Sequence, residues 1–252
     1  MIDENQLPVV TKPIDKTDSF AFACHKGVSC FTECCRMLEL ALSPYDILRL
    51  RHSTGKTSTE LLDQFVIMEQ DPGEPFPRFY LTMVDDGRAS CIFVSTEGCT
   101  IYPDRPAACR TYPLGRGAQK NPEGMVVDHF ILIQENHCHG FAEPATQTPI
   151  EYTADQELSP YYRFNDLVAG ILQHDSIRKG FIPSKKQIEL FTLVLYDIDR
   201  FRILIEKGEI QLSGANAIAN YNDEQLLERG VGWISNQLFP QLRKLAPRDL
   251  NI

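Results

Sequence analysis

The sequence contains no run of about 18 uncharged apolar residues, which is the minimum that a membrane-spanning helix needs. It also has few basic residues: 25 Lys and Arg stand against 34 Asp and Glu, for a net charge of −9. Because sequence-independent binding to nucleic acid requires a basic face, this balance argues against that class, although Arg105, Arg110 and Arg116 form a local basic patch. Internal repeats and low-complexity tracts are also absent.

The first residues, Met1-Ile-Asp-Glu-Asn-Gln6, lack the basic and apolar regions of a secretory signal. We therefore expect a cytoplasmic location, where thiols stay reduced. Hydrophobic residues make up 43% of the chain, which is enough for a packed core in one or two domains.

Cysteine is the residue that the chain has in abundance and in an uneven distribution. Four of its eight cysteines lie within twelve residues, and no cysteine follows Cys138. Three roles are possible for these cysteines: disulfide formation, metal ligation and simple burial in a core. The neighbouring Cys34 and Cys35 suit a disulfide poorly, and packing alone hardly explains so dense a cluster. We therefore interpret all eight as metal ligands: Cys24, Cys30, Cys34, Cys35, Cys91, Cys99, Cys109 and Cys138.

The number of thiols constrains the kind of centre. Zinc and iron-sulfur centres are closed by about four ligands, so eight are too many for one mononuclear site. Two centres, one polynuclear centre, or one centre with spare cysteines all remain open. If Cys34 and Cys35 open a helix, their side chains diverge by about 100°, which suits two centres, or one centre and the core, better than one ion. The spacing does not name the metal.

Local patterns predict the elements that carry these thiols. A helix begins at Ser43-Pro44 and stops at Gly55. A second begins with a capping box at residues 57–60, and its apolar positions continue to Met68. The runs 78–84 and 89–94 around Asp85-Asp86-Gly87 predict a hairpin with Cys91 on the returning strand, and residues 125–133 predict another strand.

The character of the sequence changes after Gly140. A proline-bearing connector spans 141–149. Helical patterns follow at about 155–174, 184–207 and 223–245. We predict an α+β fold in which a cysteine-rich metal-binding domain, 1–141, consists of short helices, a β-hairpin and loops. A helical region, 142–252, packs on it.

One stretch is specific enough to suggest a family. It runs from Gly98-Cys99 through Ile101-Tyr102, Arg105-Pro106 and Cys109-Arg110 to Tyr112-Pro113. With the opening cysteines, the Leu42-Ser43-Pro44-Tyr45-Asp46-Ile47 helix start, and Cys138 followed by Gly140, it resembles the YkgJ-like cysteine-cluster family. That family is described as zinc- or iron-chelating and is related to the cluster region of flagellin lysine N-methylase. The resemblance covers roughly residues 20–141 and implies a cysteine-ligated centre, iron-sulfur (4Fe-4S) rather than plain zinc.

Residues next to the cysteines are expected to support an anionic thiolate centre. The guanidinium groups of Arg105 and Arg110, which flank Cys109, would offset its charge and donate to sulfur. Ordinary salt bridges, or binding of a substrate or cofactor carboxylate, are the alternatives. Tyr102 and Tyr112 could donate their hydroxyls or simply pack. His25, His137 and His139 are alternative ligands.

This interpretation of the cysteines is compatible with two functions. The first is a metal-binding protein whose cluster or zinc serves redox chemistry, metal handling or a protein partner. The second is an enzyme resembling the lysine N-methylase, with S-adenosylmethionine as methyl donor. The chain lacks a Gly-x-Gly-x-x-Gly nucleotide loop, so whether it is an enzyme stays open.

Overall fold

The computed structural model describes residues 10–120, 126–212 and 221–240. These residues form two compact units, one comprising residues up to 72 with 77–166 and the other comprising 73–76 with the residues from 167 on. Helices and short strands are mixed, so the predicted α+β class is confirmed. The domain division between residues 141 and 142 stays a prediction. No helix of the described ranges has the length and apolar character to cross a membrane.

The strands are short and mostly paired two by two. They are β1 (Val10–Ile14), β2 (Phe20–Ala21), β3 (Val66–Glu69), β4 (Arg78–Leu81), β5 (Met83–Val84), β6 (Ser90–Cys91), β7 (Val94–Ser95), β8 (Gly98–Cys99), β9 (Leu114–Lys120), β10 (Val126–Gln134) and β11 (Thr146–Gln147). A three-stranded antiparallel sheet has the order β1-β10-β9, and the other pairs are β2/β11, β3/β4, β5/β6 and β7/β8.

The helices of the described residues range from one turn to four. They are α1 (Pro44–Thr54), α2 (Ser58–Phe65), α3 (Ala107–Thr111), α4 (Pro149–Asp155), α5 (Ser159–Leu172), α6 (Asp175–Arg178), α7 (Lys185–Tyr196), α8 (Ile198–Glu206) and α9 (Asp223–Leu238). Single 3-10 turns occur at Glu33–Cys35, Tyr102–Asp104 and Gly140–Ala142.

A small aromatic core lies against the three-stranded sheet of the first unit. Phe20 and Phe22 pack edge-on against Tyr152, with ring centroids 5.9 and 6.2 Å apart. Leu114 and Phe130 from the sheet complete this core, and Cys138 packs against it. The chain segments that precede Cys24 and follow Cys138 are therefore anchored on the same core.

The predicted start and end of α1 are confirmed. Ser43 and Asp46 form a reciprocal capping box, and Gly55 ends the helix at φ 68°. The capping box between Thr57 and Glu60 is confirmed for α2 as well.

The prediction that helical spacing continues from Leu61 to Met68 is wrong beyond Phe65. From Val66 the chain is strand β3, which pairs Val66 with Leu81 and Met68 with Phe79. β-branched residues such as Val66 and Ile67 fit an extended strand well, and tertiary pairing with β4 decides the conformation.

The predicted hairpin is confirmed in a shorter form. Only β5 and β6 pair across the turn, with Met83 opposite Cys91, while residues 78–81 pair with β3 and residues 94–95 with β8. Cys91 lies on the returning strand, as predicted. The strand predicted at 125–133 is β10, although Met125 itself lies outside the described residues.

The helical patterns after Gly140 are confirmed, but two of them are divided. The region 155–174 contains the last residue of α4 and then α5, and the region 184–207 splits into α7 and α8 at Asp197, whose ψ of 65° leaves the helical range. In the second unit, Gly230 of α9 lies close to Val194 and Phe201. The last helix begins at Asp223 as predicted and ends at Leu238, and residues 241–245 lie outside the described ranges.

Candidate metal centre

All eight cysteines are free thiols in the first unit. Cys24 and Cys34 are exposed, and the other six are partly buried. Backbone pairing and side-chain interactions bring them together in two groups, with the Cys34-Cys35 pair between the groups.

The first thiol group consists of Cys24, Cys30 and Cys138. The Ala23 N–H donates to the Gly140 carbonyl oxygen at 3.1 Å, which places the segment of Cys24 beside the segment that follows Cys138. The backbone N–H of His139 donates to the Cys30 Sγ at 3.1 Å. Partial desolvation and the neighbouring thiols of Cys34, Cys30 and Cys138 raise the pKa of Cys24 to about 11. Cys138 therefore shares one neighbourhood with Cys24 and Cys30, although it lies more than 100 residues from them in the chain.

Gly140 permits this close approach. A Cβ atom at this position would lie 2.7 Å from the Ala23 carbonyl oxygen and 2.8 Å from the Phe22 ring. Only glycine fits there without moving one of the two segments. Nearby, Ser29 Oγ and His139 Nδ1 are 2.6 Å apart and tie the Cys30 loop to the same segment.

The second thiol group consists of Cys91, Cys99 and Cys109. Cys91 is the last residue of β6, and Cys99 is the last residue of β8. Strand β8 pairs with β7, which begins three residues after Cys91. Cys109 lies on α3. Burial raises the pKa of Cys109, and the thiols of Cys91, Cys99 and Cys34 raise it further.

Helix α3 is held in place by helix α1. The Asp46 carboxylate accepts from the Ala107 N–H at 2.7 Å while it also caps α1 through the Ser43 N–H, also at 2.7 Å. Asp46 is buried, and burial raises the pKa of its carboxyl group. This residue thus links the Ser43-Pro44 helix start to the helix that carries Cys109.

The Cys34-Cys35 pair lies in the 3-10 turn Glu33–Cys35. An isolated antiparallel bridge pairs Arg36 with Ser90, and the Met37 N–H donates to the Ala89 carbonyl oxygen at 2.9 Å. The same register places Cys35 beside Cys91. Hydrogen bonding with Cys35 is the main cause that raises the pKa of Cys34, and desolvation raises it further. The Cys34 thiol interacts with Cys24 of the first group and with all three cysteines of the second.

The thiols are neighbours without forming a closed coordination shell. Within residues 10–120, 126–212 and 221–240, no three Cys, His, Asp or Glu side chains are arranged to hold a metal ion as they stand. Ligation therefore requires the cysteine side chains to turn toward a common point, which rotation about χ1 allows.

Arg105 lies beside both thiol groups. It is 8% exposed, and its charge favours the thiolate forms of Cys24 and Cys99. Its guanidinium donates to the Tyr102 carbonyl oxygen at 2.7 Å and to the Gln156 side chain. The exposed ring of Tyr102 lies 3.7 Å from the guanidinium carbon and covers it.

Arg110 is also buried, but its partners are different. It donates to the Gln156 carbonyl oxygen at 2.8 Å and to the Pro103 carbonyl oxygen, and it lies over the ring of Tyr161. These contacts join the 3-10 turn Tyr102–Asp104 to the C-terminal end of helix α4. Its predicted hydrogen bond to sulfur stays a prediction.

Tyr112 places a hydroxyl at the first thiol group. This hydroxyl is buried and has no nitrogen or oxygen partner among the described residues. Burial raises its pKa, and interaction with the Cys138 thiol raises it further. The Tyr112 carbonyl oxygen accepts from the Tyr152 hydroxyl, which fixes the tyrosine on the aromatic core.

The imidazole rings of the three histidines near the thiols contact oxygen atoms of other side chains. His25 lies 3.3 Å from Glu143, His137 lies 3.6 Å from Glu135, and His139 contacts Ser29. The backbone of His139, rather than its imidazole, contacts Cys30. Their role as ligands stays a prediction.

Sequence reasoning did not identify Asp46 and Gln156 as site-supporting residues. Asp46 stands out in the sequence as part of the helix start that begins at Ser43, and nothing there indicates its bond to Ala107. Gln156 accepts hydrogen bonds from both arginines, which lie about 50 residues away in the chain. Its side chain accepts from Arg105, and its carbonyl oxygen accepts from Arg110. Such tertiary contacts leave no local signal.

Thiols that gather from separate strands, turns and a short helix around buried arginine and tyrosine define a cysteine-cluster protein. Residues 23–139 match the model of the CxxCxxCC family, whose description is "Putative zinc- or iron-chelating domain". Residues 23–139 are thus similar to this cysteine-cluster family, as the resemblance predicted. No curated protein and no solved structure matches the chain.

The family description supports metal chelation and names both zinc and iron. It does not mention S-adenosylmethionine, so the methylase-like alternative stays a prediction from the resemblance.

Proposed function

We propose that the protein binds an iron-sulfur centre of the 4Fe-4S type through its cysteine thiolates. The observation that carries this proposal is the convergence of thiols from positions 24 to 138 onto neighbouring elements of one compact unit. The eight cysteines that we assign as ligands are Cys24, Cys30, Cys34, Cys35, Cys91, Cys99, Cys109 and Cys138.

The donor atoms fit such a centre. The interacting groups are thiols, and thiolate is the soft ligand that selects iron-sulfur clusters, zinc or copper(I). The nearby histidines engage Glu143, Glu135 and Ser29 instead. An all-sulfur set is also the set that closes 4Fe-4S clusters.

The surroundings of the thiols fit an anionic centre as well. The buried Tyr112 hydroxyl, which lacks a nitrogen or oxygen partner among the described residues, can donate to a sulfur of the first thiol group. Arg105 supplies positive charge at both groups. Hydrogen bonds and charges of this kind orient ligands and adjust the properties of a metal centre.

The thiols would become thiolates on ligation. Desolvation raises the pKa of Cys24 and Cys109, and hydrogen bonding with Cys35 raises the pKa of Cys34, so these groups are neutral near pH 7 without metal. A bound metal stabilises the thiolate and releases its proton, and this binding free energy adds to folding. The eight free thiols are consistent with a cytoplasmic, reducing location, which is part of this proposal.

The exposure of two cysteines indicates the role. Cys24 and Cys34 are exposed, so a centre that they ligate lies at the surface of the unit. An iron-sulfur cluster supplies one-electron transfer when bound. We therefore propose a function in redox chemistry or metal handling, in which a protein partner approaches this surface.

Quantitation of iron, zinc and acid-labile sulfide in anaerobically purified protein tests the proposal. We expect iron and sulfide in equal amounts, with broad thiolate-to-iron absorption, and Cys109→Ser should lower both. Thr148→Ala is the control, because it removes the α4 cap and costs about 1 kcal/mol without removing sulfur. Stoichiometric zinc without sulfide would replace the iron-sulfur assignment with a zinc centre. Protein free of both metals would contradict metal binding.

A further inference from the structure

We propose that the eight thiolates form two separate four-cysteine centres and that the vicinal pair contributes one ligand to each. The first centre comprises Cys24, Cys30, Cys34 and Cys138, and the second comprises Cys35, Cys91, Cys99 and Cys109. This inference rests on the proposed metal-binding function and adds the division of the ligands.

The first centre is defined by contacts that involve no member of the second thiol group. The Ala23–Gly140 hydrogen bond and the His139–Cys30 contact join the Cys24, Cys30 and Cys138 segments directly. Cys34 is the fourth ligand, because the geometry of the vicinal pair directs it away from Cys35, which lies in the second centre.

The second centre is held by a different set of backbone contacts. The β5/β6 and β7/β8 pairs position Cys91 and Cys99, and the Asp46–Ala107 bond positions the helix of Cys109. The Arg36–Ser90 bridge places Cys35 beside Cys91. Cys35 is therefore the fourth thiol by backbone position.

The local geometry of the vicinal pair requires such a division. Adjacent residues in a 3-10 helix point about 120° apart, because the helix has three residues per turn. If Cys35 faces Cys91, then Cys34 points away from it and can turn toward Cys24. Because the two cysteines are adjacent in the same turn, the two centres lie close together.

Paired substitutions test the division in the full-length protein. We expect Cys30→Ser with Cys138→Ser to halve the metal content per chain, measured by native mass spectrometry and elemental analysis. Cys99→Ser with Cys109→Ser should also halve it, and the fourfold variant should bind none. The wild type should contain about eight irons, or about two zinc ions in the zinc form.

The vicinal cysteines provide the sharper test. Adding Cys34→Ser to the first pair should leave the remaining half unchanged, whereas adding it to the second pair should remove the rest. Cys35→Ser should show the reverse pattern. Complete loss of metal from either pair, full retention in either pair, or a wild type with about four irons or one zinc would overturn the division while leaving metal binding intact. A wild type without metal would instead overturn the proposed function. If a variant fails to fold, the wild-type stoichiometry decides.

Discussion

At the scale of single residues, Tyr112 offers the most specific test of the surroundings of the thiols. Tyr112→Phe removes only the buried hydroxyl beside Cys138, so we expect metal affinity to fall about 10-fold while the fold is retained. Competition with a chelator measures this affinity. Tyr196→Phe is the matched control, because Tyr196 is also buried but lies in α7 of the second unit, which contains no cysteine. Equal effects of the two substitutions would contradict a role of Tyr112 at the centre.

Substitutions of the two buried arginines should affect different quantities, namely metal affinity for Arg105 and stability for Arg110. Arg105→Gln removes the charge that favours the Cys24 and Cys99 thiolates, so we expect metal affinity to fall about 10-fold. Arg110→Gln removes hydrogen bonds to the carbonyl oxygens of Gln156 and Pro103. It should lower the free energy of unfolding of metal-free protein by about 1–3 kcal/mol and leave metal affinity nearly unchanged. Chelator competition and urea unfolding measure the two quantities, and the opposite assignment of effects would contradict the account.

The sequence reveals the thiols more readily than their surroundings. Cysteines could be proposed as ligands because their local density is unusual for buried packing. Arg105 and Arg110 look equivalent in sequence, since each stands close to Cys109. Yet Arg105 lies beside thiols and donates to the Gln156 side chain, whereas Arg110 donates to the carbonyl oxygens of Gln156 and Pro103. Which partner each arginine meets depends on residues about 50 positions away, such as Gln156, and is set by the tertiary fold.

At the scale of elements, the close approach at Gly140 joins two cysteine-bearing segments. Gly140→Ala should push them apart, because the added methyl group overlaps the Ala23 carbonyl oxygen and the Phe22 ring. We expect unfolding stability to fall by about 1–3 kcal/mol and metal content of the first centre to fall with it. Gly232→Ala in α9 is the control, since no atom lies within 4 Å of its added carbon, and it should raise stability by ~0.5–1 kcal/mol. Normal metal content in Gly140→Ala would contradict the proposed contact.

Elements with strong local signals were predictable, and those fixed by long-range pairing were not. The caps of α1, α2 and α7 follow from a hydroxyl and an acidic or amide residue three positions later. By contrast, Met68 keeps helical spacing in sequence but lies in β3, because pairing with β4 overrides the local pattern. Strands β1 and β9 are not predicted from the sequence, because Pro13 in β1 and Gly115 and Gly117 in β9 weaken the strand pattern. Both strands form because each pairs with the central strand β10.

At the scale of the whole molecule, metal should stabilise the first unit selectively. All eight thiols belong to that unit, whereas α7, α8 and α9 belong to the other and contain no cysteine. Since ligation free energy is folding free energy, removing the metal should speed amide exchange in residues 90–111 at least 10-fold. Hydrogen exchange with mass spectrometry, compared before and after anaerobic chelation, measures this. Equal acceleration in α7–α9 would contradict a stabilisation confined to the cysteine-bearing unit.

The central claim is that cysteine sulfur atoms from distant parts of the sequence surround bound metal ions. X-ray absorption at the metal edge of anaerobically purified, full-length protein tests this most directly. The account predicts about four sulfur neighbours per metal at about 2.3 Å, with iron neighbours beyond them in the cluster form. A first shell made of oxygen or nitrogen, or protein that carries no metal at all, would contradict it.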